Sequence, residues 1–220
     1  ENLTNYQKLI ENENVPMAVR MIQMLSMGHH LQRNINAGQL FGLENIYDHY
    51  LSEGAADRMC AYLKERWEKP GSRYHVMKEM FACLHKLEVL SADWPKKVRH
   101  YEKVLFGGGR KQYEALHQYR MPDKIAEQLL SYFIYVYFAG AVYDGMPYSK
   151  VKLAVISIML IEDMVCAKAA EKGQLSFEAI ADAAHSYARE VEHSDLNLQR
   201  LSIMFRHRKC FHIGRLCGAL

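Results

Sequence analysis

Residues 149–173 read SKVKLAVISIMLIEDMVCAKAAEKG, and this stretch decides the fold class. Its apolar residues recur at helical spacing. Pro147 stands just ahead, where a missing N–H costs nothing, and Gly173 follows Lys172 at the position that tolerates left-handed backbone. The stretch predicts a helix from Ser149 to about Lys172. The same period recurs almost throughout the chain, and nowhere do alternating, turn-bounded runs mark strands. The expectation is an all-α fold, a multi-helix, bundle-like domain of roughly eight to ten helices with no significant sheet.

Working outward, Ser176 followed by Glu178 favours a helix start, and that helix carries Tyr187, Glu190 and His193. Ser194 caps a final helix ending near His207. On the upstream side a helical pattern runs from Gln112 to Tyr143, broken by Pro122, with Asp123 placed at the start of its second part. The apolar run within it, Leu129 to Tyr143, is short of the roughly twenty residues needed to cross a bilayer, so it reads as a buried helix and no membrane partner is expected. Nearer the N-terminus, Pro16 opens a helix to about Asn36 whose Met17, Met21 and Met24 suit core filling better than a thioether metal site. Further helices are expected over Leu43–Leu51, Ala55–Trp67 and Ser72–Leu90, the last two separated by a Lys69-Pro70-Gly71 turn. Asp93 can cap the next helix, with Pro95 in its first turn, and Gly107-Gly108-Gly109 ends it. That triplet precedes Arg110 and Lys111, but no strand leads into it and the Lys-Ser/Thr of a phosphate loop is missing, so it reads as a flexible turn.

The 220 residues suit one helical domain, 1–220, divisible at most into two lobes, 1–109 and 110–220. Half the residues are apolar and 11% aromatic, which excludes disorder, and a net charge of +3 lacks the dense basic face of a nucleic-acid binder. The five cysteines are odd in number and irregularly spaced, which suggests neither a disulfide framework nor a metal ligand set, so no metal residues are assigned. A reducing cytoplasm fits this usage. The start at Glu1, already within a helical pattern, suggests a fragment of a longer protein.

Three stretches resemble one family. Leu87-Glu88-Val89-Leu90-Ser91-Ala92-Asp93-Trp94-Pro95 is similar to its central segment, and Tyr132-Phe133-Ile134-Tyr135-Val136-Tyr137-Phe138 with Tyr143-Asp144-Gly145 to its aromatic helix and closing turn. The most specific is Val151-Lys152-Leu153-Ala154-Val155 followed by Tyr187-Ala188-Arg189-Glu190-Val191-Glu192-His193-Ser194 and Asn197-Leu198. In order, they resemble the C-terminal helical part of the flagellin lysine-N-methylases. The resemblance implies methyl transfer from S-adenosylmethionine to lysine amines of flagellin, in the bacterial cytoplasm. It also implies an N-terminal segment of closely spaced cysteines, suited to a metal or iron–sulfur cluster, that nothing in this chain matches. The isolated chain is therefore expected to be inactive.

Methylating a lysine needs a neutral amine, whereas free lysine titrates near 10.4, so a site must take a proton and shed water. Glu190 and His193, three apart, share a helix face, and Tyr187 lies three before Glu190; this trio is the candidate catalytic cluster. Glu192, about 200° around from Glu190, is expected to face solvent. The plainer role for Glu190 and His193 is a buried hydrogen-bonded link between the last two helices, and the aromatics from Tyr132 to Tyr143 read most simply as core. Two alternatives stand beside catalysis. One is a non-catalytic helical module that binds substrate or forms a homodimer. The other is a di-metal bundle built on Glu190-x-x-His193 and Glu114-x-x-His117, a spacing that these counts of Glu and His also produce by chance.

Overall fold

The computed structural model describes residues 2–66 and 72–220, and no strand occurs among them. In chain order the helices are α1 (Asn2–Ile10), α2 (Met17–Asn36), α3 (Glu44–Leu51), α4 (Ala55–Arg66), α5 (Ser72–Leu84), α6 (Trp94–Phe106), α7 (Gly109–Leu116), α8 (Asp123–Phe138), α9 (Ala141–Asp144), α10 (Pro147–Lys172), α11 (Phe177–Tyr187), α12 (Asp195–His207) and α13 (Ile213–Cys217). Single 3₁₀ turns cover His117–Tyr119 and Lys209–Phe211, and a π-helical turn covers Ala188–Glu192. The all-α expectation holds, but the helices exceed the eight to ten expected. Short ones such as α9 and α13 carry too few residues to show a period of their own. The expected Lys69-Pro70-Gly71 turn lies outside the described residues.

The local signals act largely as expected. Ser176 and Ser194 take extended backbone and accept from the N–H of Ala179 and Asn197, each at 3.2 Å. Gly173 ends α10 at φ 68°. Asp93 differs. Its backbone is helical and its carboxylate, instead of capping α6, accepts from Ser91 Oγ at 2.7 Å and pairs with Lys97 at 2.9 Å.

Helix α10 is the axis. Every residue from Val151 to Ala167 is buried, because α2, α8, α11, α12 and α6 surround it; a helix apolar on all faces needs such a jacket. The polar exceptions on it are paired. Arg73 of α5 reaches Glu162 at 2.7 Å and Asp163 at 3.0 Å, Tyr113 donates to Asp163 at 2.8 Å, and Arg120 meets Glu162 at 3.2 Å. Against the other side, Arg20 of α2 joins Glu127 of α8 at 2.9 Å and donates to the carbonyls of Ile10 and Val15, both at 2.6 Å. Charges buried this deeply persist only where such partners offset desolvation. The α2 methionines Met17, Met21 and Met24 are core, as their spacing suggests. No helix among the described residues is long and apolar enough to cross a membrane.

Helix α5 stops at Leu84, not at Leu90. Residues 85–91 form a loop, and polar groups from the far end of the chain hold it. That loop leads to the candidate site.

Candidate functional site

Asn197, fully buried in the first turn of α12, accepts from the N–H of Glu88 at 2.7 Å and donates to the carbonyls of Glu88 at 2.9 Å and Glu190 at 2.7 Å. One Glu190 oxygen accepts from the N–H groups of Leu90 at 3.1 Å and Ser91 at 3.3 Å. The other lies 3.6 Å from Arg189 Nε. Ser194 Oγ donates to the Glu88 carboxylate at 3.0 Å, and Arg189 donates to Ser91 Oγ at 2.7 Å. Two of the sequence stretches singled out above are therefore one structural unit, with Glu190 as a bracket for the 85–91 loop.

The π turn places its neighbours. The N–H of His193 bonds to the carbonyl of Ala188 at 3.1 Å, a step of five residues. Such turns are rare and recur at functional sites. Glu190 faces the loop on one side of the turn. On the other side lies α8, not solvent, so Glu192 is half-buried against it, contrary to the expectation from the helical wheel. His193, at the end of the turn, is exposed and does not join Glu190 on an inward face. Tyr187 is buried, set edge-on to Phe133 at 5.7 Å between centroids, and hydrogen-bonds Ser157. Since Ser157 gives its own hydrogen to the carbonyl of Leu153 at 2.6 Å, Tyr187 is the donor of that pair. The expected trio is thus dispersed: Glu190 grips a loop, Tyr187 sits in the core, and His193 reaches a groove.

That groove, about 810 Å³, runs between α8, the start of α10 and α12. Glu192, His193, Tyr132, Tyr137, Lys150 and Arg206 line it, together with the apolar Leu153, Leu198 and Ile203. Tyr137 donates to Glu192 at 3.1 Å, and Tyr132 is a neighbour of the same carboxylate. Burial pushes Glu192 above the usual carboxylate range, against the pull of the two phenols. Burial likewise raises Tyr137 and Tyr132, which stay neutral donors. Lys150 is held by Asp144 at 2.7 Å, and Ser149 and Ser202 meet at 2.6 Å between α10 and α12.

The aromatic helix α8 therefore has two duties. Phe133, Tyr137 and Phe138 are core, whereas Tyr132, Tyr135 and Val136 are exposed, so reading the whole run as buried was too simple. Sequence reasoning missed Glu192, Tyr132 and Tyr137. The signal was present, since both phenols lie in the same resemblance-bearing segment, but only packing shows that they meet Glu192. Among the described residues no group of three or more His, Cys, Asp and Glu side chains is arranged to hold a metal. Glu114 instead pairs with Arg110 at 3.0 Å, and His117 meets Asp163 at 3.3 Å and the Tyr113 carbonyl at 2.9 Å, which dismantles the di-metal alternative.

The model of the FliB lysine N-methylase C-terminal domain matches residues 6–219. The chain belongs to this family. No curated protein and no solved structure matches it. As a FliB C-terminal domain, the chain carries the loop bracket, the π turn and the tyrosine-lined groove within the matched region.

Proposed function

We propose that this chain is the acceptor-handling part of a protein-lysine N-methyltransferase acting on flagellin, and that the groove between α8, α10 and α12 receives the lysine side chain. The observation that carries this is the half-buried Glu192 carboxylate, held by the Tyr137 phenol in a groove that Tyr132 and the apolar Leu153, Leu198 and Ile203 also line. A lysine entering along Leu153, Leu198 and Ile203 buries its methylene stem while its ammonium meets Glu192 and the faces of Tyr132 and Tyr137. Glu192, raised by burial, is a better proton acceptor than an exposed carboxylate, and taking the proton leaves the amine with its lone pair.

S-adenosylmethionine supplies the methyl group in this reading, and the groove residues are assigned to the lysine, not to the cofactor. The fold lacks a strand-to-helix glycine turn among the described residues, and Gly140 in the groove wall has helical backbone. The carboxylate and phenols suit a cationic side chain.

Titrating flagellin with the purified chain tests the groove. Glu192→Gln and Tyr137→Phe should each weaken binding tenfold or more, while Glu171→Gln, on the exposed end of α10, leaves it unchanged. Equal affinity for all three variants would refute the assignment.

A further inference from the structure

We propose that a second cleft, between α2, α3, α4 and α13, binds a small organic phosphate that also bears a flat aromatic ring, the chemistry of a nucleoside monophosphate. The cleft holds about 500 Å³ and lies apart from the lysine groove. Its charged wall is wholly basic among the described residues: Arg33 from α2 and Arg58 from α4, with His29, His30 and His49 beside them and no carboxylate lining it. Tyr50, Met59, Tyr62 and Ile213 supply the apolar remainder.

Several contacts hold this wall in place before any ligand arrives. Arg58 is braced across the α3–α4 turn by the Glu53 carbonyl at 3.1 Å and Ser52 Oγ at 2.8 Å, a turn that Gly54 permits with φ 70°. The imidazoles are set edge-on to tyrosines: His49 to Tyr50 at 5.0 Å, His30 to Tyr50 at 6.4 Å and His29 to Tyr148 at 5.1 Å between centroids. A planar guanidinium fits a phosphate through two parallel hydrogen bonds, and an aromatic wall accepts a ring by stacking.

The electrostatics agree. His29 is held below the usual imidazole range by burial first, then by Arg33 and by Lys152 beneath it in α10; His30 is lowered by burial, His49 and Arg33. The histidines thus sit in a positive field that no protein carboxylate in the lining offsets. A bound anion would relieve it and raise both imidazoles, so protons are taken up at the histidines on binding. The groups facing the ligand are Arg33, His29 and His30 from α2, His49 and Tyr50 from α3, and Arg58 and Tyr62 from α4. The arrangement is not a metal site, since no metal-holding group of side chains occurs among the described residues.

The test is calorimetric titration of the purified chain with adenosine 5′-monophosphate, inorganic phosphate and adenosine at pH 8 and pH 6. Saturable binding of the nucleotide is expected, at least tenfold tighter than either fragment. Arg33→Gln and Arg58→Gln should each weaken it tenfold or more, and Arg208→Gln, on the opposite side of α13, should not. Because Arg58 also braces a turn, Arg33→Gln serves as the independent variant, with melting temperatures read for both. Absence of saturable binding at either pH, equal affinity for nucleotide and adenosine, equal affinity for nucleotide and phosphate, or indifference to Arg33→Gln would each overturn the proposal.

Discussion

Asn197 closes both backbone groups of Glu88, accepting from its N–H at 2.7 Å and donating to its carbonyl at 2.9 Å, across 109 residues of chain. The same amide also holds the Glu190 carbonyl at 2.7 Å. Asn197→Ala removes three hydrogen bonds at a fully buried position and leaves partners unsatisfied. It should cost on the order of 3 kcal/mol, readable from denaturant unfolding. Asn197→Asp loses the donor and turns a buried carboxylate oxygen toward the Glu88 and Glu190 carbonyls, so it should cost at least as much as Ala.

The Arg73–Asp163 pair sets the acid limb of stability. Burial alone would raise Asp163, but Arg73, His117 and Tyr113 outweigh it and hold its carboxyl below the usual value of 3.8. A depressed carboxyl contributes stability that is present above the unfolded value and is lost as pH falls through the folded one. That loss should appear below about pH 4 and should be absent in Asp163→Asn. At pH 7 the same variant should lose about 3 kcal/mol, the low end for breaking a buried pair, because Glu162 still holds Arg73. Melting temperatures across pH 2–7 measure both effects.

Lys152 titrates in the opposite sense. It is buried on α10, donates to the Phe205 carbonyl at 2.9 Å and lies 4.4 Å from the Tyr148 ring centroid. Burial, with Arg206 adding to it, lowers its ammonium to about 8 from 10.5. The cost of burying that charge is present in full below pH 8 and fades as pH rises toward 10.5. The parent should therefore gain on the order of 3 kcal/mol relative to Lys152→Met over that interval. Parallel unfolding curves of parent and variant between pH 7.5 and 10.5 would contradict this.

Helix identity was legible in the sequence because caps and period act locally: Ser176, Ser194, Gly173 and Pro16 mark their helix ends in the structure much as they do in the sequence. The end of α5 was not legible. The apolar residues Leu87, Val89 and Leu90 continue its pattern, and only Asn197 and Glu190, a hundred residues on, convert them to a loop. The packing around Glu190 and Glu192 was hidden for a related reason. A helical wheel gives Glu190 and Glu192 opposite directions, but it cannot show that a loop covers one face and α8 the other. The wheel's buried-versus-solvent contrast became a contrast between two different packed neighbours, one structural and one lining a groove.

Methyl transfer to flagellin by the intact methylase, measured for Glu192→Gln beside Glu190→Gln with melting curves for both, bears most directly on the role of Glu192. The amide of Glu192→Gln keeps the shape and removes the proton acceptor. Its melting curve should match the parent while kcat falls about 100-fold or more, the range for a lost general base. Glu190→Gln, which loosens the bracket on the 85–91 loop, should lower the melting temperature. Full turnover by Glu192→Gln, or lost turnover with unchanged melting in Glu190→Gln, would move the chemistry from the groove to the bracket and contradict the account.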